Sequence, residues 1–183
     1  MSYKRWVYIA TSLFVIGLIF GLFPPAGIFS LIVEDIATLE EFSGMLVSLP
    51  PLLTALLIFV KNASVLLFSF VMSPIFCLIP FMALTVNGWL LAFVSTIAVE
   101  KESVGFVLAA VLPHGIIELP ALILGEAAAL SFGAILILSL FKKDKRKLLV
   151  PSLKQNLKYL VIAIALLLPA ALIETYITPL LLR

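Results

Sequence analysis

The chain has 183 residues, 63% of them hydrophobic, and a formal net charge of only +2. Its mean hydropathy is +1.27, and residues 62–99 contain no charged side chain. A membrane helix needs about 20 mainly apolar residues, so this length accommodates roughly five or six crossings. These figures exclude a soluble domain and predict a single membrane domain, residues 1–183, whose partner is the lipid bilayer and not nucleic acid.

Prolines and charged residues divide the apolar sequence into segments. The first apolar run ends at Pro24 and Pro25, because proline lacks the amide hydrogen that a helix interior needs. Apolar and acidic residues then alternate over residues 31–48, which predicts an amphipathic helix at the outer membrane interface. The predicted spans are residues 6–23, 52–72, 75–98, 104–141 and 159–177.

The fourth apolar run is too long for one simple crossing and contains Pro113, His114 and Gly115. We therefore predict an all-α bundle of about five transmembrane helices, with a broken helix or a re-entrant half-helix at residues 113–115. Non-helical backbone at membrane depth must be buried in protein or line a cavity. Lys61 and Asn62 interrupt the second span, so the alternative there is a half-crossing over residues 52–60.

Basic residues are concentrated in one connecting segment, and excess Lys and Arg mark the cytoplasmic side of a membrane protein. The residues are Lys142, Lys143, Lys145, Arg146, Lys147, Lys154 and Lys158. The linker after the first span carries only acidic charges. Five crossings then place the N-terminus in the cytoplasm and the C-terminus outside. The alternative interpretation of the basic segment is a surface for anionic lipid or nucleic acid.

Polar side chains within the apolar runs are candidates for function, because they are costly in lipid. The predicted buried polar site consists of Asn62, Asn87, His114, Glu118, Glu126 and Glu174. His114 and Glu118 are four residues apart and share a helical face, whereas Glu126 lies about 80° further round from Glu118. This pair either relays a proton or binds a metal ion, or the two side chains only hydrogen-bond each other or the backbone freed at the expected break.

Enzymatic chemistry is not expected from these residues. The chain has one histidine, so the zincin pattern of two histidines is excluded. A carboxylate metal site of Glu118, Glu126 and Glu174 is the weaker alternative, and we predict no metal and no cofactor. Ser131, Ser139 and Thr85 could serve an intramembrane hydrolase, but the sequence positions no base beside them.

Small residues recur at four-residue spacing, which lets membrane helices approach closely. Ala121, Gly125, Ala129 and Gly133 form such a ridge, and Gly17 and Gly21 form a GxxxG pair. We expect the ridge to pack inside the monomer. The GxxxG pair fits equally well a homodimer seam and packing within the monomer.

Several of these polar residues occur in segments that resemble the stage II sporulation protein M family. The segments are Asn62, Asn87-Gly88, Pro-His-Gly-Ile-Ile-Glu-Leu-Pro at 113–120, and Ile-Glu-Thr-Tyr-Ile-Thr-Pro at 173–179. The resemblance implies a membrane protein with about five spans. It also implies that Asn62, Asn87, Gly88, His114, Gly115, Glu118 and Glu174 form a polar signature without a known catalytic role. Glu126 departs from the pattern, which implies a small residue there.

In endospore-forming bacteria, the resemblance implies a member of the engulfment machinery that recruits peptidoglycan-degrading partners. Other relatives occur in organisms without spores or without peptidoglycan. We therefore predict a non-enzymatic membrane scaffold, a homo-oligomer that is expected to be a dimer, with membrane or envelope protein partners. The alternative is a subunit of a small-solute or ion transporter or channel that uses His114 and Glu118 at the broken helix.

Overall fold

A computed structural model describes residues 2–23, 49–75 and 77–182 of the protein. These residues contain no β-strand, and five of the helices are long and apolar enough to cross a membrane. The helices are α1 (Tyr3–Leu22), α2 (Pro51–Met72), α3 (Leu78–Lys101), α4 (Val104–Phe141), α5 (Leu149–Tyr176) and α6 (Thr178–Leu181). A 3-10 helix, Lys143–Leu148, joins α4 to α5. The all-α fold class with five spans is therefore confirmed. The amphipathic segment predicted for residues 31–48 lies outside the described residues.

Helix α4 occupies the centre of the bundle, between the pair α1 and α3 and the pair α2 and α5. Its two sides are buried in different clusters of apolar side chains. Ala121, Ala128 and Ala129 pack with residues of α2 and α5, and Ala127 and Leu130 pack with residues of α1 and α3. Alanines suit this position because a helix that is buried on both sides needs small side chains to let its neighbours approach.

The break expected at residues 113–115 is not present. Pro113 and Pro120 both lie inside the continuous 38-residue helix α4. A proline removes one backbone hydrogen bond, and packed neighbouring helices make that loss tolerable within a membrane. At 1.5 Å per residue α4 is about 57 Å long, which exceeds the roughly 30 Å hydrocarbon layer. The helix therefore tilts or extends beyond the bilayer instead of breaking.

The half-crossing considered for residues 52–60 is also wrong, because α2 continues through Lys61 and Asn62 to Met72. Helix directions agree with five full crossings. Contacts from Gly17 to Thr85 and from Gly21 to Trp89 show that α1 and α3 run in the same direction. Helices α2 and α4 are likewise parallel to each other, as their polar contacts described below show.

Glycines bring the backbones of α1 and α3 into direct contact. A Cβ atom on Gly17 would collide with the carbonyl oxygen of Thr85, and one on Gly88 would collide with that of Phe14. The pair Gly17 and Gly21 therefore packs within the monomer, and its interpretation as a homodimer seam is wrong. The small-residue ridge of α4 also lies inside the bundle, where a Cβ on Gly133 would come within 2.5 Å of the Ser73 carbonyl oxygen.

Candidate functional site: a polar cluster between α2, α4 and α5

His114 and Glu118 lie one turn apart on the same face of α4, and Glu174 reaches them from the end of α5. One ligand-type atom from each side chain lies within 4.8 Å of the others. All three side chains are half-buried. The cluster therefore joins two neighbouring helices through groups that can share a proton or a cation.

Asn62 brings α2 into the same cluster. Its side-chain amide donates a 2.9 Å hydrogen bond to Oε1 of Glu118. Lys61, the preceding residue, is exposed but lines the same small cavity as Asn62 and Glu118. Electrostatic interactions connect Glu174 with His114, Glu118 and Lys61. We call His114, Glu118, Glu174 and Asn62 the polar cluster.

The imidazole of His114 has an unsatisfied nitrogen. Its Nδ1 atom is buried and has no hydrogen-bond partner among the described residues. Buried polar atoms are paired in the large majority of native proteins, so such an atom needs an explanation. A ligand or an ordered water at this nitrogen would provide one.

Asn87 lines the cavity beside the polar cluster, but it is not a buried member of it. Its side chain is exposed, and its amide donates a 2.6 Å hydrogen bond to the carbonyl of Ala83 in its own helix. The expectation of a buried Asn87 is wrong, since the adjacent Gly88 is the residue that faces α1. Successive residues of a helix point about 100° apart, so both cannot face the same neighbour.

Glu126 is separate from the polar cluster. It lies eight residues beyond Glu118 on α4, about 12 Å along the helix axis. Its side chain is 0% exposed, and it accepts a short hydrogen bond from the hydroxyl of Ser69 on α2. Its other oxygen, Oε1, has no partner within the described part of the chain. A site that combines Glu118, Glu126 and Glu174 is thus excluded by the separation of Glu126 from Glu118 along α4.

Ser69 is a buried polar residue beside the site that sequence reasoning missed. The signal was its spacing, because residues seven apart on a helix share a face, and Ser69 follows Asn62 by seven positions. The pairs Asn62–Glu118 and Ser69–Glu126 ascend together along the sequence, so α2 and α4 run parallel. Two polar contacts, about two turns apart, therefore fix α2 against α4.

The cavity beside the polar cluster is small, about 50 Å³, and is lined by both polar and apolar side chains. It has room for a few water molecules, since one water needs roughly 10–15 Å³ of such volume. Its apolar walls include Leu66, Leu122 and Leu167, from the helices that also carry the polar cluster. The arrangement fits a small ion with its waters better than an organic solute.

Comparison with known proteins identifies similarity over nearly the whole chain. Residues 10–179 match the family model described as Stage II sporulation protein M, which confirms the resemblance noted in the sequence. An uncharacterized protein from Methanocaldococcus jannaschii is 28% identical over 174 residues, which cover 94% of this chain and 93% of that protein. No solved structure gives a significant match.

Proposed function

The chain belongs to the stage II sporulation protein M family, and we propose from this that it is a non-enzymatic multi-pass scaffold for membrane or envelope protein partners. The observation that supports a scaffold is the close packing of the bundle. Backbone meets backbone where Gly17, Gly88 and Gly133 contact neighbouring helices. A bundle held in this way presents a fixed outer surface to its partners.

The small cavity adds support to this proposal. A carrier of organic solutes needs a site of several hundred Å³, whereas the cavity beside the polar cluster measures about 50 Å³. The chain's one histidine lies with two carboxylates, those of Glu118 and Glu174. Cys77 has its sulfur 3.7 Å from the carbonyl oxygen of Leu130. The surroundings of His114 and Cys77 are therefore those of side chains that make polar contacts or pack within the bundle.

The proposed orientation puts the N-terminus in the cytoplasm and the C-terminus outside. The 3-10 helix Lys143–Leu148 supports it, since it carries four basic residues and one acidic residue between two spans. Lys and Arg are enriched in cytoplasmic connections. In this orientation the polar cluster lies toward the outer side, because Glu174 is close to the end of α5 that is opposite to Lys154 and Lys158.

Photo-crosslinking in the native host tests the scaffold. A photoreactive amino acid replaces either Phe20, which is 67% exposed, or Phe14, which is 4% exposed on the same helix. We expect discrete crosslinked proteins, the same in repeated experiments, from outward positions such as Phe20, and none from Phe14. Crosslinks to lipid alone from a set of outward positions on all five spans, together with a monodisperse monomer in mild detergent, would contradict the proposal.

A dimer stays a prediction of this proposal. The GxxxG pair does not supply its seam, because Gly17 and Gly21 are used within the monomer. Exposed apolar side chains on the other helices, among them Phe68 and Val71 of α2, offer alternative contact surfaces. Mass measurement of the detergent-solubilised protein, with the bound detergent subtracted, distinguishes one copy from two.

A second candidate function is a subunit of an ion transporter or channel. The polar cluster favours it, since ionisable residues within membrane spans mark ion pathways and proton relays. Reconstituted liposomes with a pH-sensitive or cation-sensitive dye measure the flux. Flux that is lost in Glu118→Gln and retained in Glu126→Gln would support transport, and absence of flux in the unmodified protein would count against it.

A further inference from the structure

Three side chains of the polar cluster belong to the residue types that bind metal ions. His114 offers an imidazole nitrogen, and Glu118 and Glu174 each offer a carboxylate oxygen, all within 4.8 Å of one another. Ligands around one metal ion at bond lengths of about 2.0–2.2 Å are separated by at most twice that distance. Small rotations of these half-buried side chains are enough to bring the three atoms into that range.

The two carboxyl groups of the cluster favour the binding of a cation. Glu118 and Glu174 bring two carboxyl groups together, and Lys61, a basic residue in electrostatic contact with Glu174, is itself exposed. Carboxylates brought together inside a membrane protein are costly unless paired with opposite charge. A divalent ion would balance the two carboxylates.

The unsatisfied nitrogen of His114 is an independent indication of a ligand. Nδ1 is buried without a partner among the described residues, and a metal ion on this nitrogen would satisfy it. Asn62 makes a hydrogen bond to a candidate ligand, as residues around metal sites commonly do. Its hydrogen bond to Oε1 of Glu118 holds the carboxylate in place and leaves the other oxygen for a metal.

We propose that the polar cluster binds one divalent first-row metal ion, such as Zn²⁺ or Mn²⁺, through His114, Glu118 and Glu174. Imidazole favours such ions over Mg²⁺ and Ca²⁺, which prefer all-oxygen sites. Water completes the coordination from the adjacent cavity. The metal would fasten the end of α5 to α4. This inference goes beyond the scaffold proposal and does not depend on the identity of any partner.

Metal titration of the purified protein tests the site. Tag-free protein in mild detergent is stripped with a chelator, and then Zn²⁺ binding is followed by calorimetry and thermal unfolding. We expect one site per chain, an increase in melting temperature, and no comparable response to Mg²⁺. Glu118→Gln and Glu174→Gln should abolish the saturable binding. Glu126→Gln is the matched control, since it changes a carboxylate of α4 outside the cluster, and should bind like the unmodified protein.

Magnetic resonance gives a second readout that needs no variant. His114 is the chain's one histidine, so pulsed electron paramagnetic resonance of bound Mn²⁺ should show coupling to an imidazole nitrogen that can come from no other residue. Binding without this coupling, or Zn²⁺ affinity that is equal in the folded Glu118→Gln and Glu126→Gln variants, would overturn the proposal. Failure of the scaffold proposal would leave both readouts unchanged.

Discussion

The side-chain amide of Asn62 on α2 donates a 2.9 Å hydrogen bond to the carboxylate of Glu118 on α4. Two turns further along both helices, Ser69 donates to Glu126. The two contacts differ in their surroundings, because Glu118 is half-buried beside a small cavity whereas Glu126 is fully buried. The first contact therefore belongs to a site that water or an ion can enter, and the second belongs to the packed interior.

Replacing Asn62 with alanine should affect both stability and metal affinity. Interhelical hydrogen bonds in membrane proteins contribute about 0.6 kcal/mol on average, so we expect a loss of roughly that size in the free energy of unfolding. Loss of a residue that orients a ligand weakens metal binding by about 10–100-fold. Unfolding in detergent and Zn²⁺ calorimetry measure the two effects.

Asn87→Ala is the matched control for Asn62→Ala. Asn87 lines the same cavity, but its amide bonds only to the carbonyl of Ala83 within its own helix. We expect little change in either measurement. Equal effects of the two alanine variants would show that the contact between Asn62 and Glu118 has no special role.

The pair Ser69 and Glu126 should behave as a unit. Ser69→Ala leaves the buried carboxyl of Glu126 without its partner, which should cost about 1–3 kcal/mol of stability. Glu126→Gln should cost less, because the amide has the same shape and keeps the hydrogen bond with Ser69. A double-mutant cycle with Glu126→Leu measures the coupling between the two positions. Additive losses in that cycle would contradict the contact.

Gly88→Ala should destabilise the bundle although alanine is the better helix former. Its added Cβ would meet the carbonyl oxygen of Phe14 on α1, and overpacking of this kind costs about 1–3 kcal/mol. Gly115→Ala is the control, since its Cβ would meet Val111 Cγ1 at an ordinary 3.6 Å. Alanine there should stabilise the helix by up to about 1 kcal/mol. Thermal unfolding of both variants decides the matter, and a stable Gly88→Ala would refute the close contact.

Cysteine labelling in intact cells tests the proposed orientation. In a Cys77→Ala background, Glu102→Cys at the turn between α3 and α4 should react with a membrane-impermeant maleimide, and Lys143→Cys should react only after the cells are opened. Both positions are exposed. In opened cells the unmodified protein should label slowly, because burial raises the pKa of the Cys77 thiol and keeps the reactive thiolate scarce. The reverse labelling pattern would invert the topology.

The sequence predicted the five spans well because the length of an apolar run reports directly on membrane crossing. The prediction of a break at Pro113 failed. Proline usually ends or kinks a helix, but packing of α4 against its neighbours keeps this helix continuous. The prediction of a buried Asn87 also failed, because membership in an apolar run does not say which helical face is buried. The contacts between helices decide which face is buried, and here Gly88 makes the contact with α1.

The polar cluster was predictable only in part. The four-residue spacing of His114 and Glu118 predicted that they share a helical face, because that relation depends on the geometry of a single helix. The approach of Glu174 and Asn62 comes from other helices and depends on how α2 and α5 pack against α4. Glu126 shows the limit of the sequence argument: it is on the same helix as Glu118, yet two turns of separation give it a different partner.

The glycine contacts between α1 and α3 have a mechanical consequence. The backbone of α3 lies directly against Gly17, and the backbone of α1 lies directly against Gly88. Neither helix can therefore slide or rotate past the other without a collision. These two helices must move as a single rigid body. A rearrangement of the bundle would then either shift this pair as a unit against α4 or take place on the opposite side of α4, where α2 and α5 carry Lys61 and Glu174.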